Sequence, residues 1–291
     1  MTWLALDLGT TGVKAALLEP SGRVLRSAHR PYPTASAGVR VEQNAEDWWR
    51  AARAAVLELE AKDAAAVALT GQMQDVVLLD ERGQPVRPVI LYSDARAEAQ
   101  AAHLAETVGA ARLRDLTGNE QGPTGVLAKL RWLLEHESAS LRRAAHLLFG
   151  AADALAFVLT GEAASDTTTA STTGLLELSS LTWLRPADGL LGEAERLLPR
   201  LVPGGARVGA LSPASAASFG LRAGIPVHLG PGDAGAASLG AGGGLPRQPY
   251  IYLGGSGWVA FTAAQRSEAE GVFHLAHPHA DYFFRVAPLL S

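Results

Sequence analysis

The chain has 291 residues, of which 48% are hydrophobic and 19% charged, and its formal net charge is −4. This composition is typical of a folded protein with a buried core and excludes a disordered chain. The negative charge and the lack of a basic block argue against nucleic acid as a partner. The absence of cysteine excludes disulfide scaffolds and thiolate metal sites and fits a cytoplasmic location. No apolar run is long enough to span a membrane, and no signal peptide is expected.

The first motif is a glycine- and threonine-rich turn between two apolar strands. Gly9-Thr10-Thr11-Gly12 follows a strand that ends near Asp7 and precedes a strand that carries Lys14. Glycine lets the backbone approach a ligand closely, and threonine adds hydroxyl and amide donors. Such a loop can wrap the phosphates of a nucleotide, with Asp7 facing Mg²⁺. An ordinary hairpin whose turn needs glycine for backbone reasons is the alternative.

Helices and short strands are predicted to alternate after this hairpin. A third strand, Arg23 to Ala28, completes a meander, and Asn44 caps a helix that continues to about Glu60. Two apolar strands follow, Ala64 to Thr70 and Val76 to Leu79. The polar residues between them, 71–75, are predicted to form a loop at a sheet end, where α/β proteins bind ligands. A polar loop without a ligand is the alternative.

A helix is predicted to begin at Ser93 as N-cap and to continue to about Thr107. This assignment places Asp94 and Arg96 in its first turn. Asp suits the positive end of the helix dipole, but Arg does not, so Arg96 is expected to meet a carboxylate or a ligand.

The middle of the chain is predicted to be largely helical. The predicted helices run from Thr124 to Leu134, from Ala151 to Leu159 and from Leu190 to Leu201. Between the second and the third, the stretch from Asp166 to Thr173 is rich in threonine and serine. It is predicted to be a helix cap and a polar turn.

A second candidate site follows the apolar strand Ile225 to Leu229. A Gly-Pro-Gly turn leads to Asp233, which is predicted to cap a helix of very small residues. Such a helix packs closely against its neighbours, and backbone amides hold the cap carboxylate in place. Asp233 is therefore either a fixed catalytic carboxylate or only an N-cap. Near the C-terminus, Gly254 to Gly257 joins two apolar strands in a hairpin of the same design as the first.

Taken together and in this order, these motifs resemble those of FGGY-type sugar kinases, in particular xylulose kinases, in the actin-like ATPase superfamily. The resemblance rests on six segments of the sequence: Asp7 to Lys14, Gly71-Gln72-Met73, Ser93 to Arg96, Thr160-Gly161 with Asp166, Gly232-Asp233, and Gly254 to Gly257. It implies an α/β fold, an actin-like or ribonuclease H-like ATPase domain with a central mixed sheet in residues 1–245. Residues 246–291 would begin a second domain of the same kind and leave it incomplete, with an unpaired edge and exposed Phe261, Phe283 and Phe284.

The same resemblance implies ATP-dependent phosphorylation of a ketose or related sugar at a hydroxyl group, with ATP and Mg²⁺ as cofactors. Asp233 would be the catalytic general base. Asp7 would hold Mg²⁺. The remaining implied contacts are Gly9, Thr10, Thr11, Lys14, Gly255 and Ser256 for the nucleotide phosphates, and Gln72, Met73, Gln74, Asp94, Arg96 and Asp233 for the sugar.

The chain departs from the family pattern at several positions. Gln74-Asp75 stands where xylulose kinases usually have His-Gly, Ala234 stands in place of Asn, and Gly255 stands in place of Thr. Family members also continue with most of a second domain. A sugar-binding fragment that needs a complementing chain and an actin-like sugar-responsive regulator are therefore the alternatives, and the chain is expected to form a homodimer or to bind a complementing C-terminal chain.

Overall fold

The computed structural model describes residues 1–184, 191–253, 257–267, 269–279 and 281–290. The strands are β1 Thr2–Gly9, β2 Gly12–Leu18, β3 Val24–Pro31, β4 Ala35–Ala37, β5 Arg40–Gln43, β6 Ala64–Gly71, β7 Met73–Leu79, β8 Val89–Ile90, β9 His146–Gly150, β10 Ala164–Asp166, β11 Leu176–Glu177, β12 Thr182–Trp183, β13 Arg200–Val202, β14 Ala206–Ala210, β15 Pro226–Leu229, β16 Tyr250–Leu253, β17 Gly257–Ala263, β18 Phe273–Ala276 and β19 Phe283–Leu290. The α-helices are α1 Ala45–Glu58, α2 Glu98–Leu104, α3 Ala110–Thr117, α4 Val126–His136, α5 Ser138–Arg143, α6 Ala151–Thr160, α7 Thr167–Ala170, α8 Pro213–Phe219 and α9 Gly232–Gly240. In this part of the chain no helix has the length and apolarity that a membrane crossing requires.

A six-stranded mixed sheet forms the centre of the molecule, with the strand order β14-β15-β6-β1-β2-β3. Strands β1, β2 and β3 are the predicted meander, and β6 and β15 join it in parallel with β1. Helix α1 packs on this sheet through the fully buried Trp48, and Asn44 caps the helix as predicted, since its side chain accepts a bond from the Glu46 amide. The predicted α/β class with a central mixed sheet is confirmed.

A second sheet of five strands, in the order β4-β5-β8-β7-β9, carries the residues that were predicted as a loop. Met73, Gln74 and Asp75 belong to β7 instead, because β7 pairs with β9 from Met73 onward. The pairing shifts register between Met73 and Val77, and Gln74 within this bulge has a positive φ of 66°. The bulge re-aims the side chains at the start of β7.

The predicted helix from Ser93 to Thr107 is wrong at its start and in its continuity. Helix α2 begins at Glu98, and Ala105–Gly109 forms a π-helical turn before α3. The Asp94 side chain is engaged by other partners, so the residues before Glu98 do not enter the helix. Of the predicted helix from Leu190 to Leu201, the structure has a short 3-10 helix, Gly192–Leu197.

The C-terminal residues form a four-stranded antiparallel sheet in the order β16-β17-β19-β18. Strand β16 lies at one edge, where Ile251 and Leu253 are 63% and 73% exposed. Phe284 was expected to be exposed, but it is fully buried, with Thr262 and Leu275 beside it on the neighbouring strands and the His277 ring 4.4 Å from its own ring. The predicted exposure of Phe284 is therefore wrong, and Phe261 and Phe283 are half-buried.

Candidate functional site

The turn from Gly9 to Gly12 is held from behind through its carbonyl groups. The Gly9 carbonyl accepts a bond from the Tyr32 hydroxyl, and the Thr10 carbonyl accepts one from Gln43 Nε2 at 2.7 Å. The C=O and N–H of a trans peptide point in opposite directions, so these bonds turn the amides of Thr10 and Thr11 away from Tyr32 and Gln43. The two carbonyls are thus occupied by the protein, and the amides of Thr10 and Thr11 face the other side of the turn.

Asp7 lies at the end of β1, opposite Lys14 on β2 and Thr70 on β6. Its Oδ1 atom and the Thr70 hydroxyl are buried without a hydrogen-bond partner. Burial raises the pKa of Asp7, and the charge of Lys14 partly offsets the rise. Mg²⁺ prefers hard oxygen ligands and usually keeps several waters, so an unpaired carboxylate oxygen fits it. Among the described residues no group of three or more His, Asp or Glu side chains is arranged to hold a metal ion.

Gln72, Met73 and Gln74 lie where β6 passes into β7, but their side chains have different surroundings. Gln72 is only 1% exposed and donates from Nε2 to Gln43 Oε1 at 3.0 Å, while its own Oε1 is buried without a partner. Gln74 is half-buried and lines a cavity of about 270 Å³ together with Asn119, Gln121, Thr124, Thr172 and Phe273. Gln74 therefore faces a cavity, whereas Gln72 is held by Gln43 in the interior.

Asp94 and Arg96 form a buried ion pair. The Asp94 carboxylate accepts bonds from the Val41 amide at 2.6 Å and from Arg96 Nε at 2.8 Å, and Arg96 also binds Glu42 at 2.7 Å. Burial alone would raise the pKa of Asp94, but the bonds from Arg96 and Val41 outweigh it and hold the pKa below its ordinary value. Arg96 therefore meets carboxylates, one of the two kinds of partner that its position predicts.

A buried acid on β7 and a buried base on α4 were not predicted as site residues. Asp75 and Lys129 are both 0% exposed; Asp75 Oδ1 accepts a bond from the Tyr92 amide at 2.9 Å, and Lys129 Nζ donates to the Leu91 carbonyl at 2.7 Å. Burial raises the pKa of Asp75 well above its ordinary value, and the charge of Lys129 acts against that rise. Burial lowers the pKa of Lys129 to about 8 despite the nearby carboxylates. The Oδ2 atom of Asp75 has no partner.

Asp233 lies in the first turn of α9. The prediction that Asp233 is the N-cap is wrong, because Pro231 occupies the cap position and Gly232 already belongs to the helix. Asp233 Oδ1 accepts a bond from the next amide, Ala234, at 2.7 Å. Desolvation by the surrounding protein raises the pKa of Asp233 to about 6, and the charge of Asp7 adds to the rise. The side chain is nonetheless exposed to solvent, which screens part of this effect.

The carboxylates of Asp7, Asp75 and Asp233, from distant parts of the sequence, are close enough for their charges to affect one another's pKa values. The charge of Asp7 raises the pKa of Asp233, and the charge of Asp233 in turn raises that of Asp75. The ends of β1 and β6 and the start of β7 and α9 bring these groups together. Of the second predicted phosphate loop, Gly255 and Ser256 lie outside the described residues; the flanking strands pair at Leu253 and Gly257.

The first turn of α9 has no room for additional side-chain atoms. A Cβ on Gly232 would lie 2.6 Å from Met73 Sδ and 2.9 Å from Thr169 Oγ1, and Gly232 has a positive φ of 47°. We expect Gly232→Ala to lower the free energy of unfolding by about 2 kcal/mol or more and to displace Asp233. Gly240→Ala in the same helix is the control, because a Cβ there meets nothing within 4 Å, and it should leave stability equal or slightly higher. Urea unfolding measures both; an equal effect of the two substitutions would contradict the close packing at Gly232.

Comparison with known families identifies the family of this chain. Residues 2–240 match the FGGY family of carbohydrate kinases, N-terminal domain. The xylulose kinase of Escherichia coli (strain K12) is 32% identical over 283 residues, which cover 94% of this chain and 57% of that relative. The xylulose kinase of Bacillus subtilis (strain 168) is 30% identical over 298 residues, covering 99% of this chain and 59% of the relative. The chain thus spans somewhat more than half the length of these relatives.

Solved structures give the same result. The xylulose kinase from Rhodospirillum rubrum superposes with a TM-score of 0.91 at 29% identity, covering 100% of this chain and 62% of that chain. A structure named as a xyloylose kinase from Brucella ovis gives a TM-score of 0.91 at 30% identity, covering 100% of this chain and 61% of that chain. The family and the fold that the sequence motifs resemble are therefore both confirmed.

Proposed function

Because this chain belongs to the FGGY family of carbohydrate kinases, we propose that it supplies the sugar-binding and catalytic half of an ATP-dependent ketose kinase. One observation carries the proposal: Asp233 lies in the first turn of a small-residue helix, where its side chain is open to solvent and within electrostatic reach of Asp7. A proton acceptor beside a phosphate-binding turn is the arrangement that phosphoryl transfer to an alcohol requires. The relatives named xylulose kinases favour xylulose or a similar ketose as the acceptor.

In this mechanism Asp233 accepts the proton of the attacking sugar hydroxyl. The hydroxyl oxygen forms a bond to the γ-phosphorus, the bond from that phosphorus to the bridging oxygen breaks, and ADP leaves. An alcohol is a poor nucleophile, so a carboxylate held within hydrogen-bond distance both orients the oxygen and removes its proton. The bond from the Ala234 amide leaves Asp233 Oδ2 available for this task.

The phosphate groups would be bound by two hairpin turns. Gly9, Thr10 and Thr11 offer amides and hydroxyls, Lys14 offers a positive charge opposite Asp7, and Gly255 and Ser256 would contribute from the other turn. Mg²⁺, when bound at Asp7, would neutralise charge on the phosphates. Most of the rate enhancement in such reactions comes from positioning and from this electrostatic stabilisation.

The sugar would lie beside the start of β7. We assign Gln74 to direct contact, because it lines the 270 Å³ cavity, and Met73 to packing against Gly232 at the base of α9. Gln72, Asp94 and Arg96 are buried more deeply, so they would shape the wall of the pocket. Asp75 is buried and stands where xylulose kinases usually have glycine. The sugar that this chain phosphorylates therefore has to be measured directly.

We assign residues 1–245 to the first domain and residues 246–291 to the beginning of the second. The nucleotide would then need contacts from a more complete second domain, in this chain's own continuation, a second copy or a complementing chain. Sugar affinity should depend mainly on the first domain.

Calorimetric titration of the 291-residue chain tests the proposal. We expect a ketose or pentitol to bind with a Kd of about 1 mM and Mg·ATP to bind more weakly, because the adenosine-binding part of the family fold lies in the second domain. Gln74→Ala should weaken sugar binding several-fold and leave nucleotide binding unchanged. Micromolar binding of ATP without detectable sugar binding would contradict the proposal and favour an actin-like regulator.

A further inference from the structure

Strand β18 is an edge strand whose free side is paired by side chains rather than by another strand. Asn119 Oδ1 accepts a bond from the His274 amide at 2.7 Å, and Asn119 Nδ2 donates to the His274 carbonyl at 2.8 Å. Two residues further along, Ser171 Oγ accepts a bond from the Ala276 amide at 3.0 Å, and Thr168 Oγ1 donates to the Ala276 carbonyl at 2.6 Å. These bonds satisfy the backbone groups that an edge strand otherwise exposes.

Helix α7, which carries Thr168, also contacts the first turn of α9. A Cβ on Gly235 would lie 3.1 Å from Thr168 Cγ2, and a Cβ on Gly232 would lie 2.9 Å from Thr169 Oγ1. These two glycines flank Asp233 in the sequence. The hydroxyl of Thr168 thus reaches the C-terminal sheet while its methyl group packs against the helix that carries Asp233.

Helix α7 is itself fixed by a buried cap. Asp166 Oδ1 accepts bonds from the amides of Thr168 and Thr169 at 2.8 and 3.0 Å. Asp166 and Thr168 are 1% and 0% exposed, so neither side chain has freedom to move without disturbing its neighbours. A shift of β18 would therefore be transmitted through α7 to the start of α9.

We propose that Thr168 is a positioning residue that ties the location of Asp233 to the docking of the C-terminal sheet. The inference rests on the proposed function, in which Asp233 accepts the sugar proton. In that reaction Asp233 must be correctly placed relative to phosphate groups that the C-terminal sheet helps to bind. The bond from the Thr168 hydroxyl to the Ala276 carbonyl connects the C-terminal sheet to α7, and the Thr168 methyl group contacts the helix that carries Asp233.

Two substitutions of Thr168 in the 291-residue chain separate its two contacts. Thr168→Val removes the hydroxyl and keeps a methyl group beside Gly235, whereas Thr168→Ser keeps the hydroxyl and removes the methyl. Residue-resolved amide exchange reports on β18 and α9, and carboxyl carbon NMR reports on the titration of Asp233. We expect Thr168→Val to speed exchange about tenfold in both elements and to move the Asp233 midpoint down towards the ordinary value, because a displaced Asp233 lies farther from the charge of Asp7. The exchange rates and the Asp233 midpoint of Thr168→Ser should be closer to those of the parent chain.

Thr172→Val is the matched control. The Thr172 hydroxyl donates to the Thr169 carbonyl at 2.8 Å in the same segment, and no bond to β18 depends on it. The Thr172→Val substitution should leave amide exchange in α9 and the titration of Asp233 as in the parent chain. If Thr168→Val does not fold, Ser171→Ala breaks the neighbouring bond to Ala276 and should loosen α9 in the same direction.

Faster exchange in β18 with unchanged α9 and Asp233 would overturn the proposal, and so would a larger effect of Thr168→Ser than of Thr168→Val. These readouts need no ligand. Failure of the proposed function would appear separately, as loss of sugar binding in the parent chain.

Discussion

Asp233→Asn should abolish nearly all phosphoryl transfer while leaving the fold intact. Asparagine has the same shape and keeps an oxygen that can accept the bond from the Ala234 amide at 2.7 Å. It cannot accept the proton of the sugar hydroxyl, and loss of a general base costs about 10²–10⁴-fold in rate. We expect this drop in kcat when the chain is assayed with the C-terminal half of a xylulose kinase relative, together with a change in unfolding free energy of less than about 1 kcal/mol.

The pH dependence of the same assay gives an independent check. Desolvation raises the pKa of Asp233 to about 6, and only the ionised carboxylate accepts a proton. Since solvent screens part of this shift, the rate of the parent chain should rise about tenfold per pH unit up to a pKa between the ordinary value and about 6, and then level off. Because the raised pKa means that folding disfavours the ionised form, Asp233→Asn should be no less stable than the parent above pH 6. Equal turnover of the two proteins would reduce Asp233 to a structural residue.

Lys129→Met should produce the largest loss of stability. It removes the positive charge that acts on the buried Asp75 and the donor to the Leu91 carbonyl. Leaving the Leu91 carbonyl without this donor costs about 1–3 kcal/mol, and the uncompensated charge of the buried Asp75 adds to the loss when that carboxyl is ionised. Without Lys129 the pKa of Asp75 rises further, so the loss should be greatest at high pH and should shrink as the pH falls and Asp75 takes up a proton. Urea unfolding at several pH values measures this trend.

Asp75→Asn is the matched control for Lys129→Met. Asparagine keeps an oxygen for the Tyr92 amide at 2.9 Å and removes the buried carboxylate. The remaining Lys129 keeps its bonds to the carbonyls of Leu91 and Tyr92 and lies near the charge of Asp94. We therefore expect a loss of less than about 1 kcal/mol. A loss of the same size in both variants, or a loss below about 1 kcal/mol in Lys129→Met at pH 8, would contradict this account of the pair.

The sequence predicted those parts of the site that local chemistry determines. The turn from Gly9 to Gly12 joins two neighbouring strands that pair with each other, and Asn44 and Asp166 cap helices within three residues of themselves. These features could be recognised without knowing any distant neighbour. The family resemblance added the order of the motifs, and the comparisons confirm the family.

Features that depend on distant partners were predicted less well. Asp75 and Lys129 are far apart in the sequence. Two signals in the sequence indicate them: residue 75 departs from the usual family residue, and Lys129 is a lysine within an apolar helix. The helix after Ser93 begins late because the Asp94 side chain binds the Val41 amide, a partner from another strand. Residues 73–75 belong to a strand rather than a loop because Met73 pairs with Gly150 at the end of β9, and Gln74 and Asp75 lie in the bulge before the pairing resumes at Val77. This distant pairing is not visible in the local pattern.

The identity of the phosphorylated product tests the central claim most directly. The chain, supplied with the C-terminal half of a xylulose kinase relative, is incubated with D-xylulose and Mg·ATP, and phosphorus NMR follows the products. We predict a new sugar phosphate ester that forms in step with ADP, and almost none when Asp233→Asn replaces the parent chain. Release of inorganic phosphate from ATP without a sugar phosphate ester, at the same rate in both proteins, would contradict the assignment of this chain as the catalytic half of a ketose kinase.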